Sequence, residues 1–161
     1  MREEREETIQ VSLKVRLATL ALLATLGVLA GNGSALAAPA NDNFASGQVI
    51  NGPLPATVPG NNIGATVEPG EPQIYSIDPQ RSVWYRFTAP LSTTYVLDTC
   101  NDGFTGAPAY YDPLMAVHTG ATLATLTKIA DINGRCSLRF NATAGTVYHL
   151  HIAYSQHEGN F

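Results

Sequence analysis

The chain has 161 residues, about one domain's worth, with 14% charged residues and a formal charge of −4. That balance argues against a nucleic-acid or anionic-membrane partner, since both need clustered Lys and Arg. Fourteen Gly, ten Pro and seven Tyr, together with frequent Thr and Val, favour turns and strands over helices.

Residues 1–37 read as an export signal. An uncharged apolar run covers residues 17–30 (LATLALLATLGVLA), with Lys14 and Arg16 just before it and Ala35-Leu36-Ala37 just after it. A basic flank, a short apolar core and an A-x-A site predict secretion, with cleavage between Ala37 and Ala38. The run is too short for a membrane anchor, which needs about 20 apolar residues. Residues 1–10 (MREEREETIQ) carry four Glu against two Arg. This over-extends the n-region, and a start further downstream would account for it.

The mature chain, residues 38–161, keeps five basic residues (Arg81, Arg86, Lys128, Arg135, Arg139) and nine acidic ones. It can bury one core, at a size where a covalent tie helps. Residues 38–62, rich in Asn, Pro and Gly, predict a pinned arm with a short strand at 48–50. Strand-like runs then alternate with turn signals. They fall at 74–77, 82–88 (SVWYRFT), 93–99 (TTYVLDT), 114–118 (LMAVH), 126–132, 137–141 and 146–154. Residues 119–127 are the one weak helical candidate. Strands at this spacing predict an all-β sandwich or barrel.

Alternation assigns the faces. In 146–154, Tyr148, Leu150 and Ile152 share the core side, while Val147, His149, His151 and Ala153 share the other. In 82–88, Val83, Tyr85 and Phe87 share one side, with Trp84, Arg86 and Thr88 opposite. Trp84 is left open between an exposed outer face and cover by the arm.

Cys100 and Cys136 are the only cysteines. In an exported chain an even count favours a disulfide. Closing that loop is worth about 3–4 kcal/mol in the chain-entropy description. His149 and His151 point the same way on one strand, with His118 and His157 elsewhere. A zinc or copper site could be built on them, but an exposed polar face is the expected reading. Asp98, Asp102, Asp112, Asp131 and Asn133 cluster in the loops at one presumed end of the sheet. Calcium takes six to eight oxygens of the kind such loops supply, although turn chemistry explains the same residues. No nucleophile elbow, zincin, P-loop or dinucleotide motif is present, so no catalytic residues are assigned. Asn141-Ala142-Thr143 matches a glycosylation sequon.

Several segments in order carry a resemblance. They are 39–44 (PANDNF), 64–72 (GATVEPGEP), 82–90 (SVWYRFTAP), 97–100 (LDTC), 112–120, 140–146 (FNATAGT) and 159–161 (GNF). Together they resemble the bacterial pre-peptidase C-terminal (PPC-type) β-sandwich domains found on secreted proteins. The resemblance implies a jelly-roll-like antiparallel β-sandwich of about eight strands, secretion, and no catalytic residues of its own. The chain departs from the family pattern at Ile152-Ala153-Tyr154, where Val-Asp-Gly is usual, and at Asp131-Ile132-Asn133-Gly134. Both departures weaken a calcium inference. Family members also run on for several residues beyond the position of Phe161. The expectation is a piece of a longer protein, or else a domain lacking its last strand.

The expected function is a secreted, non-catalytic accessory or binding module for extracellular protein or polysaccharide surfaces, or an appendage of a secreted enzyme. Tyr110, Tyr111 and Tyr154 are the aromatic candidates for ligand contact. The alternative is a subunit of a cell-surface assembly joined by strand addition at an open sheet edge. A small hydrolase or metalloprotein is the third and weakest reading.

Overall fold

The computed structural model describes residues 37–99, 113–154 and 159–161. The predicted export signal therefore lies outside the described residues, as do Cys100, Asp102, Tyr110, Tyr111, Asp112 and His157.

Seven strands form among the described residues: β1 (Gln48–Ile50), β2 (Gln80–Thr88), β3 (Thr93–Asp98), β4 (Pro113–Thr119), β5 (Thr127–Asn133), β6 (Ser137–Ala142) and β7 (Val147–Tyr154). Each starts and ends within two residues of the segment predicted for it. Residues 74–77, predicted as a strand, instead make a tight turn in which Ile74 and Ile77 exchange both backbone hydrogen bonds, 3.0 and 2.8 Å. The helical candidate shrinks to a single 3₁₀ turn, Leu123–Thr125.

The strands form two sheets, one ordered β1-β2-β7-β4-β5 and one made of β3 and β6. Neighbours pair antiparallel with one exception that corrects the all-antiparallel expectation. β1 runs parallel to β2, with Gln48, Val49 and Ile50 opposite Tyr85, Arg86 and Phe87. The fold is mostly β and draws one apolar core from both sheets. Val83, Tyr85 and Phe87 of β2, Met115 and Val117 of β4, Leu138 and Phe140 of β6, and Tyr148, Leu150 and Ile152 of β7 all belong to it. The period of two in the sequence selects these residues.

Tyr154 extends the same inward series of β7. Only 1% of it is exposed, and its ring centroid lies 6.0 Å from that of Phe161. This overturns its assignment as an exposed ligand contact. Phe161 in turn exchanges backbone hydrogen bonds with Gly60, 3.0 and 2.9 Å. Beside it, the buried side chain of Asn62 accepts from the Gly159 N–H at 2.8 Å.

The opposite face of the large sheet, expected to be exposed and polar at His149 and His151, is buried. Residues ahead of β2 fold back across it. Asn41 clamps β2 twice: its carbonyl accepts from the Trp84 N–H (2.9 Å) and its side-chain amide donates to the Trp84 carbonyl (3.0 Å). Ile74 packs with Leu114, Ala116 and Ala153 in a second, smaller apolar cluster. Cover of this kind places Trp84 at 0% exposure. The central strands β4 and β7 are therefore buried on both faces, a condition usual for parallel sheets and not for antiparallel ones.

Candidate functional site

The covered face gathers all three histidines found among the described residues. β7 supplies His149 and His151, two apart and hence on one side. β4 brings His118 directly opposite His149, and β2 brings Trp84 opposite His151. Side-chain direction along paired strands thus sets three imidazoles and one indole in a single strip.

A turn in the covering segment supplies the counter-charge. Glu68-Pro69-Gly70-Glu71 places Pro at the second position and Gly70, φ +95°, at the third, the pattern a type II turn demands. The Glu71 N–H donates to the Glu68 carbonyl at 3.2 Å and closes the turn. The turn points the Glu71 carboxylate down onto the strip, where its side chain is 0% exposed. One oxygen accepts from the Ser82 hydroxyl at 2.6 Å and lies 3.2 Å from His151 Nε2. The other accepts from the Glu68 N–H at 2.9 Å and from the Trp84 indole N–H at 3.4 Å. Burial alone would raise the Glu71 pKa. Hydrogen bonds from His151, Ser82 and the Glu68 backbone outweigh it and hold the carboxyl below the usual range.

The imidazoles move the other way. Burial pushes His118 down to about 4, helped by the neighbouring His151, Lys128 and His149 and opposed by Asp131. Burial likewise lowers His149, although a hydrogen bond to the Gly120 backbone partly offsets it. His151 is lowered by burial in spite of Glu71, so the carboxylate faces a neutral ring near neutral pH. Both ring nitrogens of His118, and Nδ1 of His149 and of His151, are buried without a hydrogen-bond partner, while His151 Nε2 faces Glu71. Gly120 reaches its position through φ +132°, where an added Cβ would stand 2.5 Å from the Thr125 carbonyl oxygen.

Ring contacts complete the packing. Trp84 stacks on His151, and Phe44 lies on His149 with centroids 4.5 Å apart and edge-on to Trp84 at 5.2 Å. A second carboxylate, Asp42, takes both the N–H and the hydroxyl of Thr66, at 2.6 and 2.8 Å. Glu68 in turn accepts from the Phe44 N–H. Every carboxylate of the cover is thus engaged in holding the cover in place.

Of the predicted calcium set, Asp98, Asp131 and Asn133 are among the described residues, and Asp102 and Asp112 lie outside them. Asp98 ends β3 in the two-stranded sheet, whereas Asp131 and Asn133 sit on β5 of the other. Asp131 is engaged by Lys128 Nζ (2.5 Å) and by the Tyr75 N–H (2.8 Å). Among the described residues, no group of three or more His, Cys, Asp and Glu could hold a metal ion. Cys136 is disulfide-bonded, and its carbonyl accepts from the Thr99 N–H at 2.8 Å. Cys100, the predicted partner, lies outside the described residues.

The sequence did not single out Tyr75. It stands 59% exposed at the tip of the 74–77 turn, in the left-handed region at φ 51°, followed by Ser76 at φ 63°. Two such residues make a type I′ turn, which Asn-Gly fills most easily. Nothing in Tyr-Ser signals it. Glu71 was legible only as a Pro-Gly turn flanked by acids. No protein-family model, no curated protein and no solved structure matches the chain.

Proposed function

We propose that the chain is a secreted, non-catalytic accessory or binding module, built as a jelly-roll-like β-sandwich of the pre-peptidase C-terminal type and tied by a Cys100–Cys136 disulfide. One observation carries the binding role: Tyr75, a large aromatic, is presented to solvent on a turn that strains two consecutive non-glycine residues. Left-handed backbone at such residues costs on the order of 1 kcal/mol each and persists where the surroundings impose it. Here the Asp131 carboxylate does so by accepting from the Tyr75 N–H. An aromatic ring held rigidly outward suits stacking on a sugar face or packing into a protein surface at small entropic cost.

The test is retention of the exported chain on insoluble polysaccharides and on fibrous extracellular proteins, with Tyr75→Ala beside it. Wild-type retention reduced about tenfold by the substitution is the expected result, equal to losing one good aromatic contact. Equal behaviour of both chains on every matrix overturns the role of Tyr75. The mass of the exported chain, starting at Ala38 and two hydrogens below the reduced form, tests the cleavage site and the disulfide together.

A second reading, a surface-assembly subunit joined by strand addition, is favoured by β5. It closes one side of the large sheet and carries Ile129 at 42% exposure. Concentration-dependent association in sedimentation, abolished by Ile129→Lys, would distinguish it.

A further inference from the structure

We propose that the segment covering the histidine strip is an acid-released latch: on mild acidification residues 41–44 and 66–77 lift from the large sheet while the core shared by the two sheets stays folded.

The two layers on either face of the large sheet differ in kind. The core side is aliphatic and aromatic, built from side chains such as Phe87, Val117, Phe140 and Leu150, and none of it takes up a proton between neutral and mildly acidic pH. The covered side holds three histidines at 1%, 7% and 0% exposure, the one side chain that titrates unperturbed in that interval. Acid therefore acts on one layer and leaves the other untouched.

Charges around the strip cannot absorb three protons. From the cover comes Glu71, which neutralises one imidazolium at His151. Asp42 and Glu68 are engaged by Thr66 and Phe44. From β2 comes Arg86, whose charge disfavours a proton on His149. From β5 come Lys128 and Asp131, bound to each other, and Lys128 disfavours a proton on His118. β4 and β7 contribute only the three imidazoles themselves. Charging His118 and His149 would put two cations opposite one another in a sealed layer, where an uncompensated ion is costly. Three of their four ring nitrogens have no hydrogen-bond partner inside the layer, so a new N–H there finds no acceptor, but water would supply one. Lifting the cover supplies that water. The lifted state presents Trp84 and three histidines together.

The experiment follows hydrogen exchange by mass spectrometry on the full chain between about pH 7.5 and 4.5, corrected for the intrinsic pH dependence of exchange, with the emission of Trp84, the chain's one tryptophan, recorded alongside. The expected result is that protection in residues 66–77 falls about tenfold or more near pH 5, while β4 and β7 keep theirs and the Trp84 emission shifts to the red. Return to neutral pH restores both. Loss of protection in all strands at one pH, or none before global unfolding, overturns the latch. The doubly substituted His118→Gln, His149→Gln chain should open at lower pH than wild type. Should it fail to fold, the wild-type exchange pattern alone decides.

Discussion

The indole of Trp84 lies flat on the imidazole of His151, ring centroids 3.9 Å apart and planes 9° from parallel. The two residues are register partners on β2 and β7, so sheet pairing and ring stacking reinforce one another. With the Asn41 clamp on its backbone and Glu71 on its indole N–H, Trp84 is the point where cover and sheet are most tightly joined. Trp84→Ala should cost about 3–5 kcal/mol in urea unfolding, the range for a large core aromatic. A loss below about 1 kcal/mol would mean the cover collapses onto the gap.

Glu71→Ala should destabilise by about 3 kcal/mol, because it removes one partner of a buried polar set and strands the others. The Trp84 indole N–H and the Glu68 N–H would lose their acceptor, and the Ser82 hydroxyl would keep only the Thr66 carbonyl, at 3.1 Å. Glu71→Gln keeps one oxygen acceptor and should cost less. Chemical denaturation of the two variants in parallel gives the ranking, and an equal cost would assign the effect to charge alone.

Stability should fall as pH drops from about 6.5, the ordinary histidine value, towards 4, where His118 titrates in the folded chain. In that window the unfolded chain binds more protons than the folded one, so acid favours unfolding. His118 by itself would account for about 3 kcal/mol across the window, and His149 and His151 act in the same direction. Glu71 adds a further loss only below the ordinary carboxyl range, because its pKa is lowered in the folded state. Unfolding free energies measured at steps between about pH 7.5 and 4 check the slope. A flat profile would mean the imidazoles are hydrated in the folded state.

Tyr75→Asn should raise stability by about 0.5–1 kcal/mol, since Asn tolerates the left-handed backbone that Tyr adopts there. The same substitution should weaken retention on whatever surface the wild type binds. Thermal unfolding and binding measured on one preparation separate the two effects. A loss of stability would show that the Tyr75 ring is packed instead of presented.

Strand positions were legible in the sequence because alternation and turn residues are local signals. Asp-Pro, Ala-Pro and Asn-Gly punctuate the chain between β-branched and aromatic runs. The inward series of β2 and β7 was legible for the same reason, although Tyr154 belonged to it and was not counted. The parallel pairing of β1 was not, because three residues carry no record of direction. Burial of His149 and His151 was hidden too. Local alternation shows which side a residue takes, and only the distant segment at 66–77 decides whether that side is wet. Glu71 and His151 stand eighty positions apart, with no spacing rule to join them.

The parallel course of β1 and β2 has a consequence for the link between them. Both strands set out from the same end of the sheet, so the chain leaving Ile50 must travel back the length of a strand to enter Gln80. Ile50 lies opposite Phe87, so the seven steps back to Gln80 at about 3.3 Å each put that return at roughly 23 Å, which about seven extended residues would span. Residues 51–79 are about four times longer than the journey requires, and the excess forms the Glu68–Glu71 and Ile74–Ile77 turns. A deletion trimming this connector to its minimum length could keep every strand pairing intact. It would remove Glu71 and the 66–77 cover from the strip, leaving only residues 41–44 over Trp84 and His149 at any pH.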